Sequence, residues 1–235
     1  MAGTSHKKSR LIKIVVLATI LILPAFLYYL LEREGKNRYK SLPIYGEKSL
    51  TGTFTRRMGN EIPDTLYHQI GPFHALNQNG ARVSVLQDSL AIYVANFMYS
   101  RCETCDKLMQ EMDRVATRFQ NNESVQFLTF TVDTLYDRPQ VLDSLSKRYD
   151  SAQKKWQFLT SPDNTIEVIR NGFLLDALED PSRPGVFIHS FQLVLLDSKK
   201  RIRGYYDVHH PKEIDRLIDE IKLLLVEEIR ENRPY

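Results

Sequence analysis

Ala91-Ile-Tyr-Val-Ala-Asn-Phe-Met-Tyr-Ser-Arg-Cys102-Glu-Thr-Cys105 is the stretch on which the fold turns. Its first nine residues are almost continuously apolar, the pattern of a strand buried on both faces of a sheet. After Cys105, the apolar residues Leu108, Met109, Met112, Val115, Ala116 and Phe119 recur at helical spacing. Cys102 and Cys105, the only two cysteines of the 235 residues, therefore stand at a strand-to-helix turn. A CxxC pair in that position can close as a disulfide, attack one, or hold a soft metal ion between two thiolates. A passive surface disulfide is the plain alternative. The helix N-terminus favours a thiolate, Glu103 and Asp106 oppose it, and Arg101 partly offsets them.

Outward from this turn the periodicities alternate. Phe73–Leu76 and Ala81–Val85 flank an Asn79-Gly80 turn and read as an N-terminal β-hairpin. Val125–Val132 is a second buried strand ending at Asp133. Asp137 and Pro139 open a helix through Val141, Leu142, Leu145 and Tyr149. Trp156–Thr160 is a short strand, and Ser161 with Pro162 opens the next helix, which stops near Gly172. Phe191–Leu196 and Arg201–Tyr206 form a hairpin around Asp197-Ser-Lys-Lys200, and Pro211 starts a last helix with Ile214, Leu217, Ile218, Ile221, Leu225 and Ile229 on one face. Strand, helix, strand, helix, hairpin and helix make an α/β fold with a mixed central sheet flanked by helices. A CxxC at the first strand–helix junction of that layout is thioredoxin-like.

The N-terminus follows other rules. Residues 14–31 (IVVLATILILPAFLYYLL) are uncharged and mostly apolar, close to the lower length limit for a transmembrane helix. Lys7, Lys8, Arg10 and Lys13 precede them without an acidic residue, which places residues 1–13 in the cytoplasm and the remainder across the inner membrane, on the periplasmic side. A cleaved signal peptide would have a shorter apolar core and a small-residue cleavage site. Residues 32–68 are polar and rich in turn formers and read as a linker or lead-in, so 69–235 form the exported domain. The net charge of +3 comes from basic residues scattered among acidic ones, with no stripe for nucleic acid. Two cysteines are too few for a disulfide scaffold.

His189 stands in Phe187-Ile-His189-Ser190, just before the late hairpin. In a thioredoxin-like sheet the segment entering that strand passes close to the CxxC. An imidazole there would complete a set of two thiolates and one imidazole suited to copper, although a histidine at a strand entrance is often an ordinary loop residue.

From Phe73 to Ile218 the chain resembles the SCO/SenC family, membrane-anchored thioredoxin-fold proteins of cytochrome c oxidase biogenesis. The resemblance runs through Leu76-Asn-Gln-Asn-Gly80, Val94-Ala-Asn-Phe97, Thr131-Val-Asp133 with Asp137, and Trp156-Gln-Phe-Leu-Thr160. It continues through His189-Ser190, Leu193-Val-Leu-Leu-Asp197 and Ile202-Arg-Gly-Tyr-Tyr-Asp207. It implies that Cys102, Cys105 and His189 bind one copper ion, Cu(I) or Cu(II), and that the cysteines cycle as a redox pair. It also implies a metallochaperone, not a turnover enzyme, whose partner is a cytochrome c oxidase subunit or another exported thiol or copper protein. The family motif is CxxxC, and this chain is one residue shorter. The shorter spacing favours a membrane-anchored thiol-disulfide oxidoreductase, whereas His189, in the place where such reductases carry a cis-proline, favours copper.

Among the remaining residues, Asp137 is expected to cap the helix at Pro139 and Asp133 to order the loop beside the cysteines. Met109 and Met112 are expected in the core, and His209-His210 at a helix start rather than on a metal.

Overall fold

The structure, a computed structural model, describes residues 4–34, 41–57, 60–149, 155–161 and 165–231. Two compact units separate between Lys40 and Ser41. The first is a helix, α1 (Thr4–Glu34), with Pro24 inside it. Most of its described apolar side chains, among them Leu17, Ile20, Leu21 and Phe26, are exposed. Among the described residues no helix is long and apolar enough to cross a membrane. The membrane-spanning reading of 14–31 therefore rests on sequence.

The second unit is built on a seven-stranded sheet in the order β11-β10-β5-β6-β7-β3-β4. Its strands are β3 (Phe73–Asn77), β4 (Arg82–Val85), β5 (Ile92–Met98), β6 (Val125–Thr131), β7 (Trp156–Thr160), β10 (Gln192–Leu196) and β11 (Ile202–Asp207). The centre, β5-β6-β7, is parallel. The hairpin β3–β4 closes one side antiparallel and β10–β11 the other. This is the mixed sheet expected from the sequence. The parallel strands need crossovers, supplied by the helices α2 (Asp106–Arg118) and α3 (Pro139–Ser146). A further helical segment, α4, begins at Thr165–Glu167 and continues as a π-turn over Val168–Gly172, and the C-terminal helix α5 spans Pro211–Glu231. The cap expected at Ser161-Pro162 extends into 162–164, outside the described residues.

Every residue of β5 is buried, as a strand covered on both faces requires. Alternation sends Ile92, Val94 and Met98 into one core with Leu108, Met112, Phe127, Trp156, Leu217 and Ile221. Tyr93, Ala95 and Phe97 enter the other core with Phe130, Leu159, Ile169 and Phe173. At roughly 1.5–3 kcal/mol for each large apolar side chain removed from water, these two layers dominate the stability of the strand that carries the cysteine turn. The one amide side chain in the strand, Asn96, is engaged at both ends: Thr129 Oγ1 donates to its Oδ1 (2.5 Å) and its Nδ2 faces Met109 Sδ (3.5 Å). Trp156 Nε1 in turn donates to Thr129 Oγ1 at 2.7 Å.

Two hairpins were not foreseen. Within the lead-in, β1 (Lys48–Arg57) pairs antiparallel with β2 (Asn60–Tyr67). Alternating Thr53 and Thr55 donate to the Asp64 carboxylate at 2.8 and 2.5 Å, and Thr51 to the Asp64 carbonyl at 3.0 Å. The glycines and Pro63 hide this threonine alternation in the sequence, and residues 35–40 of the lead-in lie outside the described residues. The second hairpin joins β8 (Ala177–Glu179) to β9 (Phe187–His189). Its three-residue strands are too short for a periodicity, although the turn cluster Asp180-Pro-Ser-Arg-Pro184-Gly185 marks its tip.

Candidate metal centre

The cysteine turn follows directly from the end of β5. Cys102 N–H donates to the Tyr99 carbonyl at 3.1 Å, and Cys105 is the N-cap of α2. A three-residue spacing across a helix start brings the two Cα atoms to 5.5 Å, inside disulfide range, and Cys102 and Cys105 are bonded (S–S 2.09 Å). Cys105 is 3% exposed, and Cys102 is the more open of the two.

Asp137 holds this turn. Its carboxylate accepts from Ser100 N–H (2.8 Å), Ser100 Oγ and Thr131 Oγ1 (2.5 Å). The cap expected of Asp137 is thus not made. Arg138 is the N-cap of α3 and no side chain caps it. Asp137 is buried against three donors, which outcompete a helix start that already has Pro139 without an N–H in its first turn. Asp133 orders the loop as expected: it accepts from Tyr136 N–H (3.1 Å) and pairs with Arg101 Nη2 (2.5 Å).

His189 arrives from the other end of the domain, on the last residue of β9, opposite Ala177. It is 7% exposed. Its Nε2 lies 3.8 Å from Cys102 Sγ and 3.4 Å from Cys105 Sγ. Its Nδ1 lies 3.1 Å from the Ser190 carbonyl, which only an Nδ1–H can satisfy, so the Nε2 lone pair faces the sulfurs. Burial pushes the imidazole pKa below its ordinary value, outweighing the opposing Ser190 bond, and so favours the neutral, ligating form. Tyr99 meets the ring edge-on at 5.8 Å between centroids and Phe191 lies at 4.9 Å, an aromatic collar that holds it in place.

Sγ of Cys102, Sγ of Cys105 and a ring nitrogen of His189 all lie within 4.8 Å of one another, a grouping that could hold a metal ion once the disulfide is reduced to two thiolates. The shortened CxxC still converges with His189. Met109 and Met112 are core residues, 2% and 0% exposed. His209 packs on Phe191 (5.3 Å) and His210 Nδ1 lies 3.2 Å from Asp207, so this pair does not join the cluster. An open cleft of about 480 Å³, lined by Leu174, Ile188, His189, Phe191, Asp207 and His209, begins at the buried imidazole. Sequence reasoning missed the parts played by Ser100, Thr131 and Arg101; the Asp133/Asp137 spacing was the available signal.

A curated relative, the SCO1 protein homolog of Bacillus subtilis (strain 168), is 25% identical over 167 residues, covering 70% of this chain and 86% of its own. Among solved structures, BsSco is described as a member of the Sco family of cytochrome c oxidase assembly proteins with a disulfide switch. It superposes with a TM-score of 0.59 at 24% identity, over 68% of this chain and 94% of its own. Arabidopsis thaliana ScoI, solved with copper bound, gives a TM-score of 0.54 at 21% identity, over 68% and 98%. These likenesses establish the fold. The SCO1/SenC family model matches residues 63–225, most of the second unit and the whole of the cysteine–histidine cluster, and the chain belongs to that family.

Proposed function

We propose that this protein is a copper metallochaperone for the assembly of a cytochrome c oxidase copper centre, with Cys102, Cys105 and His189 as the ligands. The observation that carries this reading is the approach of one imidazole nitrogen to both sulfurs, at 3.8 and 3.4 Å. Two thiolates select Cu(I), and the imidazole is acceptable to Cu(I) or Cu(II). Copper is cargo here. To receive it the disulfide takes up two electrons from a thiol donor, and both sulfurs bind as thiolates with release of their protons. His189 enters already neutral, with its tautomer set by Ser190, so no ring proton has to leave. After release of the ion, thiol–disulfide exchange with a disulfide oxidant, which leaves as a dithiol carrying the two electrons and two protons, returns the site to the closed Cys102–Cys105 state.

The same reading places residues 14–31 in the inner membrane as a single-pass anchor, with the copper domain on the periplasmic side. Eighteen consecutive uncharged residues support it. An alkaline phosphatase fusion after residue 40 is expected to be active, and an inactive fusion would reverse the orientation.

The test of the copper reading is titration of the reduced domain, residues 41–235, read by thiolate-to-copper absorption. About one copper per chain is expected, and His189→Ala should bind sharply less. Fully reduced protein that takes up no copper would sink it.

A second reading is favoured by one observation, the closed Cys102–Cys105 pair at a helix start with Cys102 the more exposed. On that reading the protein is a thiol-disulfide oxidoreductase acting on exported thiol proteins. Single cysteine variants would then trap mixed disulfides, and His189→Ala would leave exchange intact.

A further inference from the structure

We propose that Arg101 is a positioning residue that holds the cysteine turn at a set distance from the hairpin carrying His189. Three backbone segments converge on the metal centre: the turn 99–105, the loop 132–138, and the β8–β9 turn that continues into His189. Arg101 belongs to the first, and its guanidinium reaches the other two. It sits one residue before Cys102, and its Nη2 pairs with Asp133 at 2.5 Å. Its Cζ stacks 4.3 Å over the centroid of the Tyr136 ring. It also lies against Gly185, where an added Cβ would come within 3.0 Å of Nη2.

Each contact is itself anchored. The Asp133 side chain is only 4% exposed, and its second oxygen accepts from Tyr136 N–H. Gly185 N–H donates to Glu179 at 2.7 Å, and Asp180 ties the turn through Ser182 N–H (2.9 Å) and Arg183 Nε (2.8 Å). Gly185 has φ +78°, a backbone conformation that side chains rarely adopt. The close approach of the guanidinium and this conformation both call for glycine. From Gly185 the chain runs four residues to His189, so the strut reaches the histidine side of the site.

Unlike the ammonium of lysine, the planar guanidinium can pair in its plane and stack through its face at once. Because the Arg101 side chain is 45% exposed, the ion pair contributes little to folding. Its effect falls on the geometry of the site, as for partners that orient metal ligands from outside the coordination shell.

This inference rests on the copper reading for one of its readouts and is independent of it for the other. Full-length protein in detergent is compared with Arg101→Met, Arg101→Lys and Gly185→Ala. The first readout is Cu(I) affinity by chelator competition. The second is the equilibrium constant for reduction by glutathione, in which two glutathione thiols become glutathione disulfide as Cys102–Cys105 becomes a dithiol. Arg101→Met should weaken copper binding by about 10–100-fold and shift the glutathione equilibrium by about tenfold, with the melting temperature within about 4 °C of wild type. Lysine should restore only part of both losses, and Gly185→Ala should reproduce them in weaker form. The proposal is overturned if methionine behaves as wild type, or if lysine restores both values fully, since charge alone would then suffice. It is equally overturned if the losses merely track a collapse in melting temperature. Absence of copper uptake by wild type would defeat the copper reading, while the glutathione equilibrium would still decide the role of Arg101.

Discussion

The two halves of the candidate metal centre are built on opposite principles. The cysteine turn hangs from the middle of the sheet, at the end of a strand buried along its whole length, and leads into a thirteen-residue helix. The histidine stands at the end of a hairpin of three-residue strands whose other face is exposed, with Leu178 and Ile188 at 42% and 50%. One half is placed by local chain geometry inside a deep core. The other, more than eighty residues away, is placed by a thin ribbon, a collar of aromatic rings and the guanidinium of Arg101. The two sulfurs are thereby mounted at the end of a fully buried strand, and the imidazole on a part held mainly by contacts to its neighbours.

The comparison can be broken most directly on the cysteine side. Cys102→Ser or Cys105→Ser should abolish both the disulfide and measurable copper uptake, read by thiol titration and thiolate-to-copper absorption. Removing the histidine should spare half of the chemistry. His189→Ala should keep the disulfide but lower copper affinity by more than about 100-fold, beyond what loss of an orienting partner costs. If His189→Ala binds copper as wild type does, the two halves are not one site.

Stability should show the same asymmetry. Asp137→Ala leaves the Ser100 N–H, Ser100 hydroxyl and Thr131 hydroxyl without their acceptor, and should cost about 3 kcal/mol in urea unfolding of the oxidised protein. Ile188→Ser on the exposed face of the hairpin should cost no more than about 0.5 kcal/mol. Equal losses at the two positions would remove the distinction between a core-mounted turn and a surface ribbon.

The smallest effect concerns pH. Burial lowers the His189 pKa in the folded protein, so the unfolded chain takes up a proton first as the pH falls. The resulting contribution to stability is present above the unfolded value of about 6.5 and is lost as the pH drops from there toward the folded pKa. The urea midpoint of oxidised wild type should therefore fall relative to His189→Gln between pH 7.5 and 5. A constant difference would mean that the ring is not held neutral by its surroundings.

Much of the fold was legible where periodicity is long and unambiguous. The unbroken apolar run of β5, the helical spacing after Cys105 and the amphipathic C-terminal helix each specify an element and its buried face. The elements that escaped were those without enough residues or a clean pattern: the Thr-rich hairpin interrupted by glycine and proline, and the short β8–β9 ribbon. The expected cap at Asp137 failed for a related reason. A local rule offered one helix start as its partner, whereas the folded chain offered three donors from two other segments. His189 was identified from its place before a late strand and from family resemblance, and nothing local to it could have revealed the sulfurs facing Nε2.

By itself, the sequence determined the chemistry available and the half of the site that is local. Two thiols three residues apart at a strand-to-helix turn must lie close together, because covalent geometry and helical pitch leave them little choice. Tertiary structure decided whether the imidazole meets them despite the shortened motif. That meeting depends on β10 lying antiparallel beside β5, with Val194 opposite Ala95, and on a ribbon folded back so that His189 points inward. Pairing across a hundred residues is set by the burial of both sheet faces at once, a property of the assembled core that no single stretch of sequence carries.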